Sequence, residues 1–257
     1  MLMKNIGSKI FVNSITMIRV IGTFLMPFIT FNMNAWELVC YIAMLLLTDC
    51  IDGLMARRLN ACTIFGALLD AAADKFLGIA MFAVLAYHEP IMFLPIITEG
   101  LIMIINTRGA TRGSTTESSF LGKFKTWVMG ICIVMGFCTI YATDIIAILN
   151  ETTKEGESLI NLFNYGIYHR NLIMNSLSCI CAGSGLMVAV DYQSKVKSEV
   201  KSAKEKGIIA KEYKLKKGKD LRDALFDTEY YLKTKNQPLL QRLGEREVKN
   251  ERKIKRK

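Results

Sequence analysis

The sequence predicts an all-α integral membrane protein with six transmembrane helices, an N-terminal interfacial helix and a charged cytoplasmic C-terminal tail. Two observations carry this prediction. The first three-quarters of the 257 residues is a succession of long apolar runs, several of them near bilayer-spanning length. Charge is also strongly asymmetric: residues 1–192 hold 12 Lys and Arg against 13 Asp and Glu, whereas residues 193–257 hold 21 against 10. The basic surplus therefore belongs to the tail, and the body is close to neutral. A soluble protein with buried helices does not need apolar runs of this length.

Residues 1–14 place Leu2, Met3, Ile6, Ile10 and Phe11 among Lys4, Asn5 and Lys9 at helical spacing, which suits a helix lying in the membrane interface. The segment does not read as a cleavable signal, because the apolar run that follows is too long and lacks a small-x-small cleavage site. Spans are expected at about 15–33, 36–57, 63–87, 91–107, 126–149 and 171–191. Lys4, Lys9, Arg19, Arg57, Arg58, Arg108, Arg112, Lys123 and Lys125 flank them on one side, with the basic tail. "FNMNAW" and "YHEP" on the other side contain no Lys or Arg, and the 150–170 loop holds Lys154 and Arg170 among three glutamates. The positive-inside rule puts both termini in the cytoplasm, as an even number of spans also requires. The organisation expected is thus an interfacial segment 1–14, a six-span domain 15–192 and a basic tail 193–257. The tail reads as a charged extension of span six that loses periodicity near "KTKNQPLL" and is attracted to anionic lipid. No nucleic-acid recognition motif accompanies the charge.

Seven cysteines lie in or beside the apolar runs without CxxC or Cys/His spacing, so they read as reduced packing residues. His88 and His169 fall in separate predicted loops, and neither suggests a metal site.

The chemistry is concentrated in "DCIDGLMARRLNACTIFGALLDAAADK", residues 49–75. Asp49 and Asp52 share one face near the cytoplasmic end of span two, and Asp70 and Asp74 share one face near the start of span three. Asp49 lies about 12 Å along its helix from Arg57, and Asp70 about 10 Å from Thr63. Antiparallel spans joined by a short link therefore bring both pairs to one depth. An intramembrane Asp costs about 2.5–3.5 kcal/mol on insertion scales, and four together repel. Hydrogen bonding between protonated acids accounts for one such residue better than for four. Divalent cations relieve both problems, and all-oxygen ligation suits Mg²⁺ or Mn²⁺, with room in principle for two ions. Gly53 clears space for a ligand, Ala56 is equally small one turn on, and Arg57 offers a planar fork to phosphate oxygens. Gly66 permits close helix contact.

Together these residues read D-x-x-D-G-x-x-A-R, eight residues, then G-x-x-x-D-x-x-x-D: Asp49, Asp52, Gly53, Ala56, Arg57, Gly66, Asp70 and Asp74. The pattern resembles the signature of the CDP-alcohol phosphotransferase family at every fixed position, over a body of about residues 1–192. The resemblance implies that CDP-diacylglycerol binds at a dimetal site, a small polar alcohol attacks the β-phosphoryl group, and CMP leaves. It implies Asp49, Asp52, Asp70 and Asp74 as metal ligands, Gly53, Ala56 and Arg57 as contacts of the CDP moiety, Asp74 as general base, and a homodimer. "NSITMIR" (13–19), "ADK" ending at Lys75 and "GKFKT" (122–126) resemble the phosphatidylglycerophosphate synthase branch. There Lys123 and Lys125 would hold the phosphate of glycerol 3-phosphate. The chain departs from that branch at Thr98, where Arg usually precedes the glutamate, and at Ala71, where Pro is usual; Arg108 and Arg112 are candidates to replace the missing arginine. Inositol phosphate, serine, phosphatidylglycerol or another alcohol remain alternative acceptors. A transporter would not need Gly53 and Arg57 at these intervals, and an inactive lipid binder would be expected to have lost an aspartate. A bacterial plasma membrane is the expected location.

Overall fold

The computed structural model describes residues 6–112, 114, 120–152, 157–206 and 213–246. Among the described residues, five stretches are long and apolar enough to cross a membrane: Gly7–Asn32, built on α1 (Ile6–Ile29); α2 (Ala35–Arg58); Pro90–Ala110, built on α4 (Phe93–Ala110); α5 (Phe120–Ile140); and α8 (Arg170–Glu205). The 25-residue α3 (Ile64–His88) occupies the centre of the bundle and holds Leu77, Phe82 and Leu85 in its core. Two shorter helices, α6 (Ala142–Thr152) and α7 (Glu157–Tyr168), follow α5.

Several polar and ionisable side chains are buried beside the apolar core, and large apolar side chains cover the outside of the bundle, where a protein folded in water would be polar. Arg19, Thr16, Thr23, Asp52, Glu99 and Lys125 are buried, while Phe28, Trp36, Trp127 and Ile18 are 74, 68, 75 and 63% exposed. That pattern suits a hydrocarbon solvent, where apolar side chains face lipid and ionisable groups face the bundle interior. The fold is that of a multi-pass membrane protein.

Helix ends follow local chemistry. A reciprocal capping box starts α2: Asn34 accepts from the Glu37 amide at 3.0 Å, and the Glu37 carboxylate accepts from the Asn34 amide at 3.1 Å. Thr63 caps α3 by accepting from the Gly66 amide at 3.0 Å. Between them Asn60 adopts φ +47°, a conformation asparagine tolerates better than most residues, and the chain reverses within five residues. This tight link joins α2 to α3, and both helices pack against α1.

Small residues set the closest approaches. At Gly185 of α8, a Cβ would lie 2.6 Å from the Thr98 hydroxyl of α4; at Gly109 of α4, it would lie 2.7 Å from Val196 of α8. The long α4–α8 pairing thus closes through glycine at both contact points.

Three expectations are corrected. No break separates residues 6–14 from the first expected span: α1 runs continuously from Ile6 to Ile29, through Gly7, Gly22 and Pro27, and residues 1–5 lie outside the described residues. The 150–170 loop contains α7, and the span expected at 126–149 divides into α5 and α6 at Tyr141. The boundary expected at 192 falls inside α8, which continues to Glu205.

The tail beyond α8 is built rather than merely solvated. Strand β1 (Tyr213–Leu215) pairs antiparallel with β2 (Gly244–Arg246), enclosing α9 (Gly218–Phe226), α10 (Thr228–Thr234) and α11 (Leu239–Leu243). This small sheet is the exception to an otherwise all-α fold. The unit docks on the body through Phe226, whose ring centroid is 5.0 Å from that of Phe65, and whose carbonyl accepts from Lys9 Nζ at 2.8 Å.

Gly185→Ala forces the α4–α8 contact apart and is expected to cost about 1–3 kcal/mol. Gly183→Ala on the same helix, with nothing near the added methyl, is expected to be neutral or stabilising by up to about 1 kcal/mol. Thermal unfolding of the two detergent-purified variants checks the pair.

Candidate active site

Helices α1, α2 and α3 meet at the aspartates. Their approach depends on Gly66, where a Cβ would come within 3.2 Å of the Asn13 side chain on α1. One carboxylate oxygen from each of Asp49, Asp70 and Asp74 falls within 4.8 Å of the others. The expected meeting of residues from α2 and α3 at one level is therefore present. Asp52 is turned toward α1: it is 4% exposed and accepts from the Thr16 hydroxyl at 2.8 Å. It remains close enough to interact electrostatically with Asp70 and Asp74.

By sequence Arg19 reads as a flanking charge and as the last residue of "NSITMIR"; in the structure it is the centre of the cluster. Its side chain is completely buried. One guanidinium nitrogen bonds Asp49 and lies 3.4 Å from Asp74, while the other donates to Asp70 at 2.6 Å. The available signal was spacing: Thr16 and Arg19 are three residues apart on one face of a span whose remaining residues are largely apolar.

The carboxylate group passes a simple fit test for a hard divalent cation. It offers clustered, negatively charged oxygen atoms, and among the described residues the cluster contains no sulfur or imidazole ligand. Asp49, Asp70 and Asp74 are the residues placed to hold such an ion, with Asp52 beside them.

Arg57 is exposed and folds back on its own helix, donating through Nε to the Gly53 carbonyl at 3.0 Å. A Cβ on Gly53 would meet only this guanidinium, at 3.7 Å. Gly53 is therefore not a packing glycine; it leaves open space beside a guanidinium. Ala56 lies on the same stretch, partly buried, and its carbonyl accepts from the Ala61 amide at 2.9 Å.

The basic candidates separate into three places. Lys125 is buried and ion-paired with buried Glu99, whose other oxygen lies 4.0 Å from Lys75, the residue after Asp74. This chain of charges gives Glu99 a partner that the sequence did not suggest. Lys123, two residues earlier, is exposed and lines an outward-facing groove with Thr126 and Trp127. Arg108 and Arg112 line a different groove, of about 580 Å³, with Lys197, Lys201 and Lys204 of α8. Thr98 cannot be exchanged freely for the branch's arginine, since its side chain abuts Gly185.

Residues 9–154 match the family model for CDP-alcohol phosphatidyltransferases, more than half of the chain. The chain belongs to this family of enzymes, transferases of phospholipid biosynthesis that use a divalent metal. It is 27% identical over 151 residues to the CDP-diacylglycerol–glycerol-3-phosphate 3-phosphatidyltransferase of Aquifex aeolicus, covering 55% of this chain and 84% of that protein. The correspondingly named proteins of Bacillus subtilis and Salmonella typhimurium are 34% identical over 90 residues and 39% identical over 111 residues. Those alignments cover 34 and 40% of this chain and only 47 and 59% of the relatives. No solved structure matches the chain.

Lys125→Met leaves Glu99 buried without its closest partner and is expected to destabilise the protein by about 3–5 kcal/mol. Lys125→Met combined with Glu99→Gln removes both charges and is expected to recover part of that loss. Unfolding midpoints of the single and double variants measure the difference.

Proposed function

We propose that the protein transfers a phosphatidyl group from CDP-diacylglycerol to the hydroxyl of a polar acceptor, glycerol 3-phosphate, giving phosphatidylglycerophosphate and CMP. The observation that carries this reading is the convergence of Asp49 from α2 with Asp70 and Asp74 from α3, with Asp52 and the Gly53–Arg57 stretch following Asp49 on α2. The acceptor rests on the printed names of partial relatives and on the "GKFKT" and "NSITMIR" segments.

Mg²⁺ or Mn²⁺ at the aspartates, two ions in this reading, stabilises charge on the phosphoryl oxygens when bound. Asp49, Asp52, Asp70 and Asp74 supply the carboxylates that hold it. Arg57 holds the diphosphate, with Gly53 and Ala56 admitting the CDP moiety close to the backbone of α2. Asp74, the most exposed of the three clustered carboxylates at 61%, accepts the acceptor's hydroxyl proton. The acceptor oxygen then bonds to the β-phosphorus, the bond to the bridging oxygen breaks, and CMP departs with that electron pair. Lys123, Lys125, Arg108 and Arg112 are the cations considered for the acceptor's phosphate. Of these, Lys125 is nearest the reacting centre in the chain of ion pairs, through Glu99 and Lys75. The remaining parts of the reading are six spans with both termini cytoplasmic, a bacterial plasma membrane and a homodimer.

CMP release by the purified protein with CDP-diacylglycerol, Mg²⁺ or Mn²⁺, and single added alcohols tests this. Release is expected to require glycerol 3-phosphate and to fall at least about 100-fold in Asp74→Asn, the scale of a lost general base. Release with serine or inositol phosphate instead overturns the acceptor, and no release with any alcohol overturns the donor.

A further inference from the structure

The guanidinium of buried Arg19 contacts three carboxylates of the site; the residue ends the "NSITMIR" segment but is not part of the D-x-x-D-G…D signature. Its side chain is 0% exposed, whereas those of Asp49, Asp70 and Asp74 are 41, 50 and 61% exposed. The guanidinium therefore lies beneath the carboxylates, which open on the side away from it. It touches one oxygen of each, Oδ1 in all three cases. Among the described residues its Nε has no hydrogen-bond partner. A buried guanidinium left partly unsatisfied is held here by the aspartates rather than by a complete hydrogen-bond shell.

The formal charges make this placement consequential. Four aspartates with Arg19 carry a net charge of −3. One divalent ion brings the group to −1 and a second brings it to +1; without Arg19, two ions would leave the four carboxylates neutral. A fixed positive charge at these distances repels a divalent ion, and the low-dielectric surroundings of a buried guanidinium screen that repulsion poorly.

We infer that Arg19 is a resident counter-cation of the aspartate cluster: it holds Asp49, Asp70 and Asp74 together while no ion is bound, and it opposes the binding of divalent ions there. It is a positioning residue, and the inference rests on the metal reading of the aspartates. The structural consequence is a metal-free state that stays folded because one buried arginine offsets carboxylate repulsion. The functional consequence is weaker, reversible metal loading, in which the last ion has the least electrostatic support from the protein. Such an ion is stabilised further by the diphosphate of a bound nucleotide, whose negative charge offsets that of Arg19.

The test measures Mn²⁺ binding to the full chain in detergent by the loss of the free-ion paramagnetic resonance signal, together with thermal unfolding with and without Mn²⁺. Wild type is expected to bind Mn²⁺ and gain stability, and Asp49→Asn to lose this response. Absence of binding in wild type overturns the metal reading itself, and the inference with it. Arg19→Met is expected to unfold at a lower temperature without metal, to recover most of the difference at saturating Mn²⁺, and to bind Mn²⁺ at least about tenfold more tightly. Unchanged or weaker Mn²⁺ binding in Arg19→Met, with an equal loss of stability in both conditions, overturns the inference and leaves Arg19 a packing residue. Arg19→Lys keeps the charge but loses the fork, so a smaller tightening is expected. If Arg19→Met cannot be purified, the lysine variant decides by the same sign.

Discussion

Negative charge inside a membrane bundle is the constraint to which the remaining structure responds. Asp49, Asp52, Asp70 and Asp74 are brought together by helices whose outer faces are apolar, where a charge has little water to solvate it. Each is answered by a specific neighbour: Arg19 for three of them, and the Thr16 hydroxyl for Asp52. Both neighbours come from α1. That helix is therefore part of the site rather than an anchor placed beside it, even though the signature residues lie entirely on α2 and α3.

Close packing is what lets α1 serve in this way. Gly66 brings α3 against Asn13, and Gly22 brings α1 against α2, where a Cβ would lie 2.9 Å from Leu45. The Gly22 carbonyl also accepts from Tyr41 at 2.7 Å, tying the same two helices by a hydrogen bond. With lipid outside, no exclusion of water drives these helices together, so shape fit and buried polar contacts must supply the association. The α4–α8 pair uses the same device at Gly109 and Gly185. A second charged group, Glu99 with Lys125 and Lys75, sits between α3, α4 and α5, and Arg170 at the start of α8 pairs with Glu89 after α3 at 2.7 Å, so further ion pairs tie the rest of the bundle.

The aspartates and the helix pair that carries them were legible because spacing alone fixes which residues share a face and at what depth. Thr63 and Gly66 were equally readable as a helix start and a close contact. Arg19 was misread because a basic residue near a span end is usually a topological flank, and a one-dimensional reading cannot show which side of a helix meets the acids. Lys123 and Lys125 were read together as one basic motif, although residues two apart on a helix point in different directions; only Lys125 is buried. The tail unit was hidden for a different reason. Its order depends on contacts distant in sequence, such as Tyr213 with Arg246 and Phe226 with Phe65, and these leave no local periodicity.

Thr98 connects the packing to the question of the acceptor. Its hydroxyl donates to the Pro95 carbonyl at 2.9 Å, and its side chain fills the notch left by Gly185. A long side chain at this position would collide with α8 unless that helix moved away. The absence of arginine at 98 and the presence of glycine at 185 are therefore two sides of one contact. For the proposed glycerol 3-phosphate acceptor, cationic partners then come from elsewhere in the bundle. Lys75 is half-solvated, follows Asp74 directly and is only loosely paired, at 4.0 Å from Glu99, whereas Lys125 is committed to the other oxygen of that glutamate. The buried Glu99–Lys125 pair leaves the Lys75 ammonium the freer of the two cations around Glu99.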